Sequence, residues 1–177
     1  MIEYYPWQQE IWQKMIQGQK YWRHALILKG KKGIGKYTFA RCLAQSLLCR
    51  SPNANQIACG YCTSCGWFEQ SGHPNFCSVM PEILSDKTNT TSKESNAATS
   101  KTKKALSQQI TVDQIRRLND FVYQTGHQDG YKVILIYPAE TMTHAAANAL
   151  LKKLEEPPVD VLFILITHQV QFLLPTI

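Results

Sequence analysis

The chain predicts an α/β domain built on a parallel sheet flanked by helices, and three observations carry that reading. Short continuous apolar runs, "HALILK" (24–29), "KVILIY" (132–137) and "VLFILIT" (161–167), have the two-sided hydrophobicity of strands buried in a parallel sheet. Segments of helical periodicity alternate with them. The first run also leads directly into a glycine-rich turn, "GKKGIGKYT" (30–38), from which a new helical pattern starts.

Taken in order, Trp7, Ile11, Trp12, Met15 and Ile16 recur at helical spacing and predict a first helix with these residues on one face and Gly18 as its stop. Residues 24–29 form the first strand. From Lys36 to Leu48, Phe39, Leu43 and Leu47 with the small Ala40 and Ala44 give a helix, in which Cys42 reads as a small core residue. Cys77, between Phe76 and Val79, reads as part of a buried strand over 76–80. Thr111 with Gln114 is a capping-box signature opening a helix with Val112, Ile115, Leu118 and Val122 inward. After the strand at 132–137, Thr143 caps the helix "HAAANALLKKLE", which Pro157 and Pro158 end before the strand at 161–167.

At 177 residues, 44% of them apolar, the chain is long enough for one domain with a buried core. No apolar run approaches the roughly 18 residues of a membrane span. The opening "MIEYYPWQQEIWQKMIQ" has an early acid, several glutamines and no apolar centre, which argues against a secretory signal. Six cysteines are then expected as reduced thiols or metal ligands in a cytoplasmic protein. The net charge of +6 is unevenly placed: in residues 85–109, Lys87, Lys93, Lys101, Lys103 and Lys104 against Asp86 and Glu94 supply half of it. That segment is otherwise mostly Ser, Thr, Asn and Ala, with Leu106 its single large apolar residue, and reads as a flexible low-complexity insertion, with DNA contact by its lysines as the alternative.

The glycine turn has the order strand, G-x-x-x-x-G-K, helix of a phosphate-binding loop. Gly30, Gly33 and Gly35 shape it, and Lys36 is placed to reach phosphate oxygens. The residue that should give Mg²⁺ a hydroxyl is Tyr37. Thr38 comes one residue late, a rotation of roughly 100° around the helix. A metal-binding carboxylate is also expected at the end of another strand. There "KVILIYPAE" offers Tyr137 and Pro138, and Glu140 reads as a charge at the start of the following helix. Two independent Mg²⁺ positions are lost together, which predicts no hydrolysis; a glycine turn that binds nothing remains the plainer alternative.

Cys59, Cys62 and Cys65 lie in "CGYCTSCGW", and Cys49 precedes them at the end of a helix. Four thiolates with C-x₂-C spacing match a closed tetrahedral site for structural Zn²⁺, so residues 49–65 read as an inserted zinc module. A redox-active C-x-x-C and a nucleic-acid-reading zinc ribbon are the rivals. His24 and His73 read as turn or strand-edge residues. Trp7, Trp12 and Trp22 read as packing residues rather than base-stacking platforms.

The segment "HALILKGKKGIGKYTFARCLAQSLLC", the four cysteines, "GHP" (72–74), "GYKVILIYPAETMTHAAANALLKKLEEPP" and "FLLPTI" together resemble the N-terminal AAA+ module of bacterial replicative clamp-loader subunits. The likeness runs over essentially all of residues 1–177 except the insertion. It implies an AAA+ sheet with a zinc module after the first loop helix, in a subunit of the DNA polymerase III clamp loader. The "YPW" opening, "AAANALLKKLEEPP" and the altered Mg²⁺ positions resemble the stator-like subunit that does not turn over ATP. Its implied partners are the gamma/tau and delta subunits and, through the complex, the sliding clamp and primer-template DNA, with no membrane. The only enzymatic link implied is membership of a DNA-directed DNA polymerase, a nucleotidyltransferase. Thr167 falls where AAA+ ATPases carry a polar sensor. In the family, a fifth strand beside the loop strand, an arginine finger, a lid and a collar domain follow, so the chain is expected to be an N-terminal fragment, or a truncated product, of a longer subunit. The alternatives are an active motor-type ATPase and a zinc-dependent nucleic-acid-binding or scaffold protein.

Overall fold

A computed structural model describes residues 4–18, 24–84, 107–123 and 131–173. Helix α1 spans Gln9–Gln17, β1 Ala25–Lys29, α2 Lys36–Leu48 and α3 Thr63–Glu69. They are followed by β2 Phe76–Val79, α4 Val112–Tyr123, β3 Lys132–Ile136, α5 His144–Glu155 and β4 Val161–Thr167. The four described strands form one sheet in the order β1-β4-β3-β2, every pair parallel.

Side chains of a strand alternate between faces, and here both faces are apolar. Val133 and Leu135 of β3, with Leu162, Ile164 and Ile166 of β4, pack against Trp12, Phe39, Leu43 and Phe68 from α1, α2 and α3. Ile134, Ile136, Val161, Phe163 and Leu165 pack the other way, against Ile115, Leu118, Ala146 and Leu150 of α4 and α5. The result is a three-layer sandwich in which every residue of β4 is buried. Cys42 is buried in the first of these cores, as its place in α2 predicts.

Local signals set the helix starts. Thr143 accepts a hydrogen bond from the Ala146 N–H at 3.2 Å. The Gln114 side chain reaches back to the Thr111 N–H at 2.9 Å, the returning half of a capping box. Three readings need correction. Trp7 and Ile11 do not join Trp12 on the inward face: Trp7 belongs to a 3₁₀ turn, Pro6–Gln8, ahead of α1 and is 65% exposed, and Ile11 is exposed as well. The change of pitch at Gln8 breaks the single periodicity that the sequence suggested. Strand β1 is also less covered than a central strand, with Ile27 43% exposed, because β1 is an edge of the described sheet. Leu47 and Cys77 are half-buried rather than enclosed.

Trp22, residues 85–106 of the insertion and residues 174–177 lie outside the described residues. The insertion's flanks meet: the Ile83 N–H donates to Ser107 O at 3.3 Å, and the Ser107 N–H to Glu82 Oε2 at 3.0 Å. No helix among the described residues is long and apolar enough to cross a membrane.

Phe163→Ala removes a fully buried ring from the central strand β4 and should cost about 3–5 kcal/mol. Loss of the Thr143 cap in Thr143→Ala should cost about 1 kcal/mol. Chemical denaturation of both variants checks the ranking, which equal costs would contradict.

Candidate functional site

The carboxyl end of β1 runs into the glycine turn, where Gly30, Gly33 and Gly35 all have positive φ, at 153°, 89° and 82°. Gly35 is the N-cap of α2. A Cβ there would lie 2.5 Å from the Tyr5 ring, so glycine is required for both its backbone and its neighbour. Tyr5 lies stacked on Trp7 with ring centroids 4.6 Å apart. The Gln8 amide and the Trp7 indole both donate to Ile34 O, at 3.1 and 3.4 Å. The N-terminal turn therefore straps the loop from outside.

Lys36 is buried at the first position of α2. Its ammonium donates to Gly30 O at 2.6 Å and Lys31 O at 2.7 Å and lies 2.9 Å from His168 Nδ1. Three N–H bonds meet three internal acceptors. Burial lowers its pKa, and the nearby Glu140 carboxylate acts in the opposite sense. Tyr37 follows, with its ring 5.0 Å from that of Tyr137 at the end of β3. Tyr137 in turn meets His168 edge-on at 5.5 Å. Burial, then the charge of Glu140 and the phenol of Tyr37, push the Tyr137 hydroxyl above its ordinary pKa. The two tyrosines read from sequence as replacing Mg²⁺ ligands thus touch each other across the loop. Thr38 sits half-buried one residue further round α2.

Glu140 is more than a charge at a helix start. It lies in a 3₁₀ turn, Ala139–Thr141, and its Oε1 accepts the His168 N–H at 3.1 Å. Burial first, then Lys36 and Lys32, hold the His168 imidazole below its ordinary pKa, with Glu140 opposing. Thr167 is fully buried and its hydroxyl accepts the Gln169 N–H at 3.2 Å, a strand-end cap. His168 and the strap of Tyr5 and Gln8 were not singled out from the sequence. Both contacts join residues far apart in the chain, and no local spacing announces them.

The cysteines converge independently. Cys49 follows α2, Cys59 lies beside Gly60 at φ 81°, Cys62 caps α3 and Cys65 is in its first turn. Their sulfurs all lie within 4.8 Å of one another, with Cys49–Cys59 at 3.6 Å, Cys49–Cys62 at 3.9 Å and Cys59–Cys65 at 4.0 Å. A tetrahedron of zinc–thiolate bonds of about 2.3 Å has edges of about 3.8 Å, so the four donors fit one such ion. Burial raises the Cys49 and Cys65 thiols. At Cys62 burial acts the same way, but the Cys65 and Arg50 N–H groups and the neighbouring thiols outweigh it and bring the value down to about 6.

His73 is buried beside this module rather than at a strand edge. Its Nδ1 accepts the Asn75 N–H at 3.0 Å, and its Nε2 lies 2.8 Å from the Ser64 hydroxyl, which donates to Leu48 O. The chain ties α3 to the end of α2, one residue before Cys49. Burial lowers the His73 pKa, consistent with the neutral tautomer this pattern requires.

The sequence model of the family described as DNA polymerase III, delta subunit, matches residues 6–177. The DNA polymerase III subunit delta' of Pseudomonas aeruginosa is 40% identical over 177 residues, covering 100% of this chain and 47% of that protein. The subunit delta' of Escherichia coli is 30% identical over 178 residues, covering 99% of this chain and 46% of its own length. Among solved structures, a DNA polymerase III gamma subunit-related protein of Thermotoga maritima shares the fold, with a TM-score of 0.57 at 21% identity, covering 96% of this chain and 42% of that one. The chain spans about half the length of the relatives it matches.

One Zn²⁺ per chain is expected by metal analysis, and Co²⁺ in its place should give the intense visible bands of a tetrahedral thiolate site. Chelation should lower the melting temperature, and Cys62→Ser should weaken the metal's hold. His73→Ala, which leaves Ser64 short of a partner, should cost about 1–3 kcal/mol even with metal bound.

Proposed function

The chain belongs to the DNA polymerase III delta-subunit family, and from that premise we propose that it is the N-terminal AAA+ part of a delta-prime-type clamp-loader subunit that holds structural zinc and does not hydrolyse ATP. The observation that carries the non-hydrolysing reading is the contact of Tyr37 with Tyr137, ring centroids 5.0 Å apart. Mg²⁺ at a phosphate loop needs oxygen ligands from the residue after the lysine and from a strand-end carboxylate. Two phenol rings occupy both places, and the hydroxyl of Tyr137 is held neutral above its usual pKa. Glu140, the carboxylate beside the loop, accepts the His168 backbone N–H instead.

In this reading the loop keeps its architectural work, turning β1 into α2, and Lys36 retains the charge for binding phosphate without turnover. The outer edge of β1, where Ile27 is exposed, is the place the AAA+ sheet would add a further strand. The stiffness of a sheet with both faces buried suits a subunit that presents a fixed face to neighbouring gamma/tau and delta subunits. Through them it would act on the sliding clamp and primer-template DNA. The four cysteines would hold Zn²⁺ as a closed site, bracing the segment between α2 and α3 with no position left for a substrate.

A full-length subunit should release phosphate from Mg-ATP no faster than its Lys36→Ala variant, and should be retained by immobilised gamma/tau motor subunits. Mg²⁺-dependent turnover abolished by Lys36→Ala would defeat the non-hydrolysing reading. Absence of any association would defeat the clamp-loader assignment.

A further inference from the structure

The ammonium of the glycine loop is taken up by internal acceptors, and one of them can be switched. The Lys36 ammonium is met by Gly30 O, Lys31 O and His168 Nδ1 at 2.6, 2.7 and 2.9 Å. For Nδ1 to accept from an ammonium, the imidazole must be neutral with its proton on Nε2. Protonation places an N–H on Nδ1 too, and two donors of like charge then face each other. We propose that His168 is a proton-operated latch on the phosphate loop: neutral, it takes up the one Lys36 N–H that Gly30 O and Lys31 O leave over; protonated, it releases that N–H and adds a second cation to a metal-independent site for a phosphate-like dianion.

The groups around His168 fit this role. Lys36 faces it from α2, Lys32 from the loop, Tyr137 from the end of β3 and Glu140 from the turn beyond. The lysines resist its protonation. Glu140 favours it and gives the imidazolium a destination: Glu140 Oε2 and His168 Nε2 are both buried and lack a hydrogen-bond partner among the described residues. With the rings of Tyr37 and Tyr137 in contact where a metal would sit, neutralisation of an anion falls to side-chain cations, so a second one matters. The inference rests on reading residues 30–36 as a phosphate loop, not on the clamp-loader assignment.

Sulfate is the suitable probe, because it stays dianionic from about pH 8 down to about pH 4.5, well below the ordinary titration of imidazole, as the lowered pKa of His168 requires. Calorimetric titration of the full-length subunit, without Mg²⁺ and at constant ionic strength, should show binding about tenfold tighter at the lower pH. His168→Asn keeps an acceptor that cannot titrate and should bind weakly at both pH values. His168→Ala removes the acceptor and should bind independently of pH, more tightly than the wild type at pH 8. Circular dichroism verifies that each variant is folded. Equal wild-type affinity at the two pH values, or pH dependence persisting in His168→Asn, would overturn the latch. Sulfate binding that survives Lys36→Ala would place the anion elsewhere and overturn it too. Failure to join the motor subunits would sink the clamp-loader reading and leave these outcomes unchanged.

Discussion

All four described strands run in one direction, and the candidate site depends on that constraint. Parallel strands deliver their carboxyl ends to the same edge of the sheet. Lys29 pairs with Thr167 in register, so the glycine turn and His168 leave the sheet side by side. Strand β3, on the other side of β4, brings Tyr137 and Glu140 to the same edge. No one of these residues identifies a neighbour in the sequence. The contact of Lys36 with His168 spans 132 residues and exists because β1 and β4 are adjacent.

Much of the sheet was legible because its signals are local. Continuous apolar runs marked β3 and β4, Thr143 marked the start of α5, and C-x₂-C spacing marked the thiolate cluster. The readings that failed were those in which tertiary position overrides pattern. The periodicity from Trp7 to Ile16 looked continuous, but the 3₁₀ turn at Pro6–Gln8 rotates Trp7 out of the helical frame. Strand β1 carries the same kind of apolar run as β4, yet its place in the sheet leaves Ile27 exposed. Glu140 does sit in the first turn of a 3₁₀ helix, as read, but its contact with the His168 N–H comes from beyond another strand and no spacing shows it.

The thiolate cluster and the glycine loop lie at opposite ends of one helix. Gly35 and Lys36 begin α2, and Cys49 is its C-cap. The hydrogen-bonded chain through His73 and Ser64 reaches Leu48 O just before that cap, and Trp12 ties α1 to Asn55 O in the intervening segment at 3.1 Å. A metal in the cluster would therefore fix the far end of the helix whose near end shapes the loop. This would give a metal held by the four cysteines a mechanical reason to sit where it does.

The flanks of the lysine-rich insertion meet through the Ile83 N–H on Ser107 O and the Ser107 N–H on the Glu82 carboxylate. The described part of the fold consequently already joins the two ends between which any added length would be inserted. Closure entropy grows only logarithmically, by about 0.6 kcal/mol for each doubling of loop length. The joined flanks at Ile83 and Ser107 thus mark a natural port for a fluorophore, an affinity handle or an inserted domain, since the sheet already holds both ends in place.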